Sequence, residues 1–149
     1  MAHKYVKYNV AELLKLFGFN ENCGTVYSKD KQDFINCVEN IPGWEDYRGA
    51  LNEQLPEGWI SCPSLTEVCD WLRKKKNLYI HADINYIPTF NKNVWMYVVK
   101  EIRPNGVSYS ADVENESGQG YTIHFYDEYE EAIEAGILFT LTKILPKQE

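Results

Sequence analysis

The hydrophobic pattern is clearest in the last predicted helix, where apolar and small residues recur three and four positions apart. This stripe comprises Tyr129, Ala132, Ile133, Gly136, Ile137, Thr140, Leu141 and Ile144. Acidic side chains occupy the first turn, where Asp127 and Glu128 suit the positive end of the helix dipole. We therefore expect the stripe to pack on a sheet, with Gly136 at the closest approach to the strands.

Four strands are predicted before that helix. Apolar and polar residues alternate over residues 78–85, which is typical of a half-buried strand. Further strands are expected over residues 94–102, 107–113 and 121–126. The turn sequence Arg103-Pro104-Asn105-Gly106 joins the second strand to the third as a hairpin.

A helix precedes the first strand, because Ser64 and Glu67 form a capping box ahead of an apolar stripe. The order of elements is therefore α-β-β-β-β-α. It predicts an α+β fold with an antiparallel sheet of three to four strands and both helices on one face.

The N-terminal third predicts short helices. Asn9 and Glu12 form a capping pattern for a first helix that ends at Gly18, and further helices are expected over residues 31–38 and 44–55. Helices this short are unstable alone. Residues 1–58 are thus expected to form a helical segment that packs on residues 59–149 within a single domain of 149 residues, covering part of the second sheet face.

Composition favours a soluble cytoplasmic protein. Hydrophobic residues make up 44% of the chain, which is enough for a packed core, yet no apolar run approaches the ~18 residues that span a bilayer. The first ten residues lack an apolar signal core.

The four cysteines lack any Cys-x-x-Cys pair, which argues against a zinc ribbon. Without an export signal they are predicted to be small buried hydrophobes, although two disulfides would form in an oxidising compartment. Gly118-Gln119-Gly120 is too short for a phosphate loop, and no serine lies in a nucleophile motif. The sequence therefore predicts no cofactor and no catalytic residue.

The sheet face away from the two helices is the predicted interaction surface. Alternation in the first and fourth strands places polar and aromatic side chains there, and neighbouring aromatics of the second strand are expected beside them. The predicted binding residues are Tyr79, His81, Asp83, Trp95, Tyr97, His124 and Tyr126, with Thr122 on the same face. An exposed aromatic face of this kind marks a partner or dimer surface.

The two histidines of this surface also allow a different function. If the first and fourth strands were neighbours, His81, Asp83 and His124 could converge as a metal site of a small metal-dependent hydrolase. A simple meander does not pair those strands, so no metal site is assigned.

Nucleic-acid binding is a second alternative, suggested by the basic run from Arg73 to Lys76. Acidic residues at the start of the last helix oppose it, because double-stranded-RNA-binding domains need cations there. The net charge of −7 also opposes binding driven by counterion release. Charge is unevenly spread, since residues 61–110 carry +3 and residues 111–149 carry −7, which favours oriented association with a protein.

Several local motifs resemble a known group of proteins. They are Ile60-Ser61-x-Pro63, then Asp70-Trp71-Leu72-Arg73-x-Lys75-x-Asn77-Leu78-Tyr79-Ile80, then Tyr129-Glu130-Glu131-Ala132-x-Glu134-Ala135-Gly136-Ile137. Over residues 59–145 the chain resembles small uncharacterised proteins of Bacteroidetes genomes and their prophages. The resemblance implies a bacterial or phage cytoplasm and no reaction. Together with the residues, it predicts a non-enzymatic phage-type or mobile-element accessory protein that binds a macromolecule, with protein favoured and self-association left open.

Overall fold

Two antiparallel sheets of three strands frame the structure, a computed structural model that describes residues 5–109 and 124–148. The chain divides into an N-terminal unit of residues 4–68 and a C-terminal unit that begins at residue 69. Each unit holds one of the sheets. The predicted α+β class is confirmed, whereas the packing of residues 1–58 on residues 59–149 stays a prediction.

The N-terminal unit combines one helix with three strands. Its elements are α1 (Tyr8–Leu16), β1 (Thr25–Ser28), β2 (Lys31–Cys37) and β3 (Trp59–Ser61), and the strand order is β2-β1-β3. Helix α1 buries Val10, Ala11 and Leu14, which lie on one face at helical spacing. A second cluster packs around β1, where Val26, Val38, Ile41 and Ala50 are buried.

Gly18 ends α1 as predicted. Its φ of +92° is left-handed, the Gly18 amide donates to the Lys15 carbonyl at 3.1 Å and the Phe19 amide donates to the Leu14 carbonyl at 2.8 Å. These two bonds satisfy carbonyls that a helix end otherwise leaves unpaired. The predicted cap by Asn9 is wrong, because the helix begins at Tyr8 with Lys7 at the N-cap and no side-chain cap bond.

The helix predicted over residues 31–38 is wrong, since this segment forms β2. It pairs with β1 in antiparallel register, with Thr25 opposite Cys37 and Tyr27 opposite Ile35. A short apolar run does not distinguish a helix from a strand, and here pairing with a partner strand decides. The helix predicted over residues 44–55 is also wrong apart from a single 3-10 turn, Asn52–Gln54.

Buried Asn52 explains why the second segment is not helical. Its amide Nδ2 donates to the Phe19 carbonyl at 2.8 Å, and its Oδ1 accepts from the Ser61 amide at 2.9 Å. The side chain is only 6% exposed, so both bonds are shielded from water. It therefore ties the loop after α1 to strand β3 and fixes the intervening chain.

Helix α2 (Leu65–Lys76) begins at the predicted capping box. The Ser64 amide donates to Glu67 Oε1 at 2.9 Å, and the Glu67 amide donates to Ser64 Oγ at 3.1 Å. Asn77, with a left-handed φ of 57°, ends the helix and starts the sheet. Reciprocal bonds of this kind satisfy two free amides at once, which is why the helix start could be predicted from four residues.

The C-terminal sheet is a meander of β4 (Leu78–Ile87), β5 (Lys92–Arg103) and β6 (Gly106–Tyr109). The predicted hairpin is confirmed, because Arg103 pairs with Gly106 across a two-residue turn. The predicted loop of residues 114–120, residues 110–113 of the third strand and residues 121–123 of the fourth lie outside the described residues. The end of the predicted fourth strand forms one antiparallel bridge, Trp95 with Tyr126.

The last helix packs on this sheet with the predicted face. It comprises α3 (Tyr129–Phe139), a π-helical turn (Thr140–Ile144) and α4 (Leu145–Gln148). All stripe residues except Tyr129 are buried. A Cβ atom at Gly136 would lie 3.0 Å from Cγ2 of Ile80 and 3.1 Å from Cβ of Tyr97, so the backbone of α3 touches β4 and β5 directly.

We predict that Gly136→Leu destabilises the protein by about 1–3 kcal/mol, because the new side chain must displace Ile80 and Tyr97. The free energy of unfolding from chemical denaturation measures this. Glu131→Leu is the matched control, since it adds the same side chain at an exposed position of α3. Equal stability of the Gly136 variant and the native protein would contradict the close approach.

Candidate functional site

Strand register decides which predicted site residues share a face. Residues directly opposite in an antiparallel pair point to the same side of the sheet. Ala82 lies opposite Tyr97 and Ile84 lies opposite Trp95, which places both aromatics on the face that α3 covers. The prediction that Trp95 and Tyr97 accompany Tyr79 is therefore wrong.

The physical reason is that β5 carries apolar side chains on both of its faces. Val94, Met96 and Val98 alternate with Trp95, Tyr97 and Val99, so the period gives no inward face. Contacts with aromatic rings of α3 confirm that Trp95 and Tyr97 lie on the face that this helix covers. The Trp95 ring packs edge-on to Tyr129 with centroids 5.3 Å apart, and the ring centroids of Tyr97 and Phe139 are 5.8 Å apart.

Tyr126 also belongs to the α3 face rather than the predicted one. Its backbone pairs with Trp95, and its ring centroid lies 6.3 Å from that of Tyr97. His124 is exposed in the segment that precedes it. Tyr126 thus does not share a face with Tyr79, His81 and Asp83, and Thr122 lies outside the described residues.

Tyr79, His81 and Asp83 do come together on the opposite face of β4. Nε2 of His81 lies 3.3 Å from Oδ1 of Asp83, and the Tyr79 ring stacks on the imidazole with centroids 5.5 Å apart. Nδ1 of His81 is buried without a hydrogen-bond partner in the described structure. Within residues 5–109 and 124–148, however, no group of three or more His, Cys, Asp or Glu is arranged to hold a metal ion.

Five of the large apolar side chains that remain exposed lie near the other end of the β4–β5 hairpin. This hairpin-tip patch consists of Ile84, Tyr86, Phe90, Phe125 and Tyr129, which are between 38% and 56% exposed. Its members are linked through the strands, because Ile84 lies opposite Trp95 and Trp95 contacts Tyr129. The patch extends round the loop, where Phe90 packs edge-on to Phe125 at 5.8 Å.

The patch is exposed because α3 does not reach the end of the hairpin. Tyr129, the first residue of α3, already lies over Trp95, whereas β4 continues to Ile87. Side chains beyond Trp95 therefore receive no cover from this helix. Tyr86, two residues further on the same face, is 56% exposed.

Polar contacts fix the patch in place. The Tyr86 hydroxyl donates to Asn91 Oδ1 at 2.7 Å, and Asn91 closes the four-residue loop with a φ of +50°. Across the hairpin, Lys92 Nζ lies 2.7 Å from Asp127 Oδ1 and holds the segment before α3. The aromatic side chains thus stand on an ordered framework, which reduces the entropy lost when a partner binds.

Tyr129 within the patch and Tyr126 beside it carry neutral phenol groups. Burial raises the pKa of Tyr126, and the nearby Glu131 carboxylate raises it further. Burial likewise raises the pKa of Tyr129, with added effects from Cys69, Tyr79 and Glu130. Both hydroxyl groups therefore stay protonated at neutral pH and can donate a hydrogen bond to a bound partner.

The hairpin-tip patch could not be found from the hydrophobic pattern. That pattern predicts Ile84 and Phe125 as inward residues, which is wrong, and gives no signal for Tyr86 or Phe90. The alternation over residues 78–85 correctly predicted strand β4. Where the buried part of that strand ends, however, depends on where α3 begins. That position depends on contacts between residues more than thirty positions apart, such as Trp95 with Tyr129.

All four cysteines are free thiols, and they lie in different environments. Cys23 and Cys62 are buried, and burial raises the pKa of each to about 12. Burial also raises the pKa of half-buried Cys69 to about 11. Cys37 is exposed, so the prediction of a buried role is wrong there. The three raised values leave too little thiolate for nucleophilic catalysis near neutral pH.

We predict that iodoacetamide at about pH 8 modifies the native protein once, at Cys37, because the raised pKa and burial of the other thiols keep them protonated and shielded. Intact mass measures the number of adducts. Cys37→Ser is the control and should remain unmodified until denatured. Rapid native modification of Cys23 or Cys62 would contradict their buried positions.

Comparison with known proteins assigns no family to this fold. No protein-family model, curated protein or solved structure matches the chain. In the part of the chain that the structure describes, no helix combines the length and apolar character needed to cross a membrane.

Proposed function

We propose that this protein is non-enzymatic and acts by binding another protein through the hairpin-tip patch. The observation that carries the proposal is the concentration of large exposed apolar side chains at one end of the C-terminal unit. Contiguous apolar patches of this kind mark interaction sites, and tyrosines and phenylalanines are enriched in the centres of interfaces. The proposed partner would bury Tyr86 and Phe90 at the centre of the contact.

Charge around the patch favours protein over nucleic acid. Glu128 and Glu130 flank Tyr129 at the start of α3, and Lys92 is already paired with Asp127. The carboxylates at the start of α3 would repel phosphate groups. A protein surface with a basic rim and an apolar centre is the complementary partner.

We also propose that the protein works in a bacterial cytoplasm as a phage-type or mobile-element accessory protein, which is the setting that the resemblance over residues 59–145 implies. The other possible occupant of the hairpin-tip patch is a second copy of this chain, which would give a symmetric dimer.

We predict that the double variant Tyr86→Ser with Phe90→Ser loses its partner, because two exposed anchors of the interface are removed without touching the core. Affinity capture from producing cells, quantified by mass spectrometry, should recover at least about tenfold less of the protein that the native chain enriches. Circular dichroism checks that the fold is retained.

The matched control is Phe34→Ser on β2, which removes an aromatic side chain that is 59% exposed but outside the patch. It should retain the partner. Full retention by the double variant, or loss in the control alone, would contradict the proposal. If light scattering gives the native protein twice the molar mass of one chain, the patch is assigned to self-association.

The hydrolase alternative retains His81 and Asp83, whose side chains meet, but needs His124 to complete a metal site. Under our proposal, protein purified without an affinity tag contains no stoichiometric zinc or manganese by elemental analysis. Stoichiometric metal that both His81→Ala and His124→Ala abolish would favour the hydrolase instead. Substitution of both positions separates a site from adventitious binding to one histidine.

A further inference from the structure

A groove crosses the N-terminal unit between α1 and the start of β3. Its cavity volume is about 550 Å³, within the range of small-molecule sites. It is lined by Tyr8, Glu12, Lys15, Leu16, Lys29, Gly58, Trp59 and Ile60. The groove is separate from the hairpin-tip patch, so an inference about it does not depend on the proposed function.

One wall of the groove is a single face of α1. Tyr8, Glu12 and Lys15 with Leu16 recur at the spacing of one helical side, opposite the buried residues of the same helix. Tyr8 is held by edge-on packing on Tyr27 at 5.7 Å. The Tyr27 hydroxyl in turn donates to the Val6 carbonyl at 2.6 Å, so this end of the wall is fixed.

Strand pairing builds the other wall. Ser28 lies opposite Trp59 in the β1–β3 pair, and the Lys29 amide donates to the Gly58 carbonyl at 2.8 Å. Lys29 and Trp59 are therefore placed side by side by the backbone. Ile60 is buried on the same face as Tyr27 and gives this wall an apolar floor, whereas the half-buried Trp59 side chain packs against the cluster around β1.

The charges of the groove are not neutralised by the protein. Among the residues that the structure describes, neither Lys15 nor Lys29 has an ion pair or a side-chain hydrogen bond. Glu12 contributes one negative charge, so the lining carries one positive charge in excess. This excess occurs in a chain whose net charge is −7.

The rim contains an apolar side chain in contact with water. Leu16 is 75% exposed although it borders the groove, and its burial by a ligand would be favourable. An apolar floor, an exposed apolar rim and two ammonium groups together specify a ligand with two parts.

We propose that this groove binds a small organic anion that has an aromatic or aliphatic body and one carboxylate. The body lies against Ile60 and Leu16, and the carboxylate lies between the ammonium groups of Lys15 and Lys29. A singly charged ligand matches the single excess charge, whereas a phosphate dianion would leave one negative charge uncompensated and would be repelled more strongly by Glu12.

The test is a titration of the full-length protein with 2-naphthoate, followed by amide chemical shifts in ¹⁵N-labelled samples. Shifts should concentrate at residues of the groove. The neutral analogue 2-naphthamide should bind about tenfold more weakly, and acetate, which lacks the body, should produce no saturable shift. Equal binding of the amide and the carboxylate would overturn the charge argument.

Substitutions of basic and acidic residues inside the groove should change the Kd in opposite directions. Lys15→Gln and Lys29→Gln should each raise the Kd for 2-naphthoate about threefold to tenfold, whereas Glu12→Gln should lower it. Lys31→Gln, at an exposed position of β2, is the matched control and should leave the Kd unchanged. Unaltered binding in both groove lysine variants, or shifts confined to residues outside the groove, would overturn the proposal.

Discussion

The close contact of α3 with the C-terminal sheet is the constraint on which the rest of this unit depends. Gly136 allows the helix backbone to lie directly against Ile80 and Tyr97. A Cβ atom at this position would be only about 3 Å from both side chains. That contact sets the face on which α3 lies, buries Trp95 and Tyr97 in part, and places the helix start over Trp95. Because the strands continue past that point, the hairpin tip keeps its aromatic side chains in solvent. The proposed interaction surface is therefore a consequence of where one helix begins.

Elements defined by local chemistry could be predicted from the sequence. The capping box at Ser64, the helix end at Gly18 and the stripe of α3 each depend on residues within a few positions of one another. Strand β2 could not be predicted in this way, because its apolar spacing also fits a helix and its partner strand decides. Asn52 gave no local signal either, since its two bonds reach residues 33 and 9 positions away.

The candidate sites could be predicted only in part for the same reason. Alternation along one strand correctly brought Tyr79, His81 and Asp83 together. It could not assign the face of β5, where both parities are apolar, and so misplaced Trp95 and Tyr97. The groove in the N-terminal unit combines three separated segments of the chain, and its residues meet only through the β1–β3 pairing.

Site-specific photo-crosslinking identifies the protein that contacts the hairpin-tip patch in the cell. A benzophenone amino acid would replace Tyr86 in one chain and Phe34, an equally exposed aromatic of the N-terminal unit, in another. We predict that irradiation crosslinks the Tyr86 variant to one defined protein and leaves the Phe34 variant without that adduct. Adducts of the same protein at Phe34, with none at Tyr86, would contradict it.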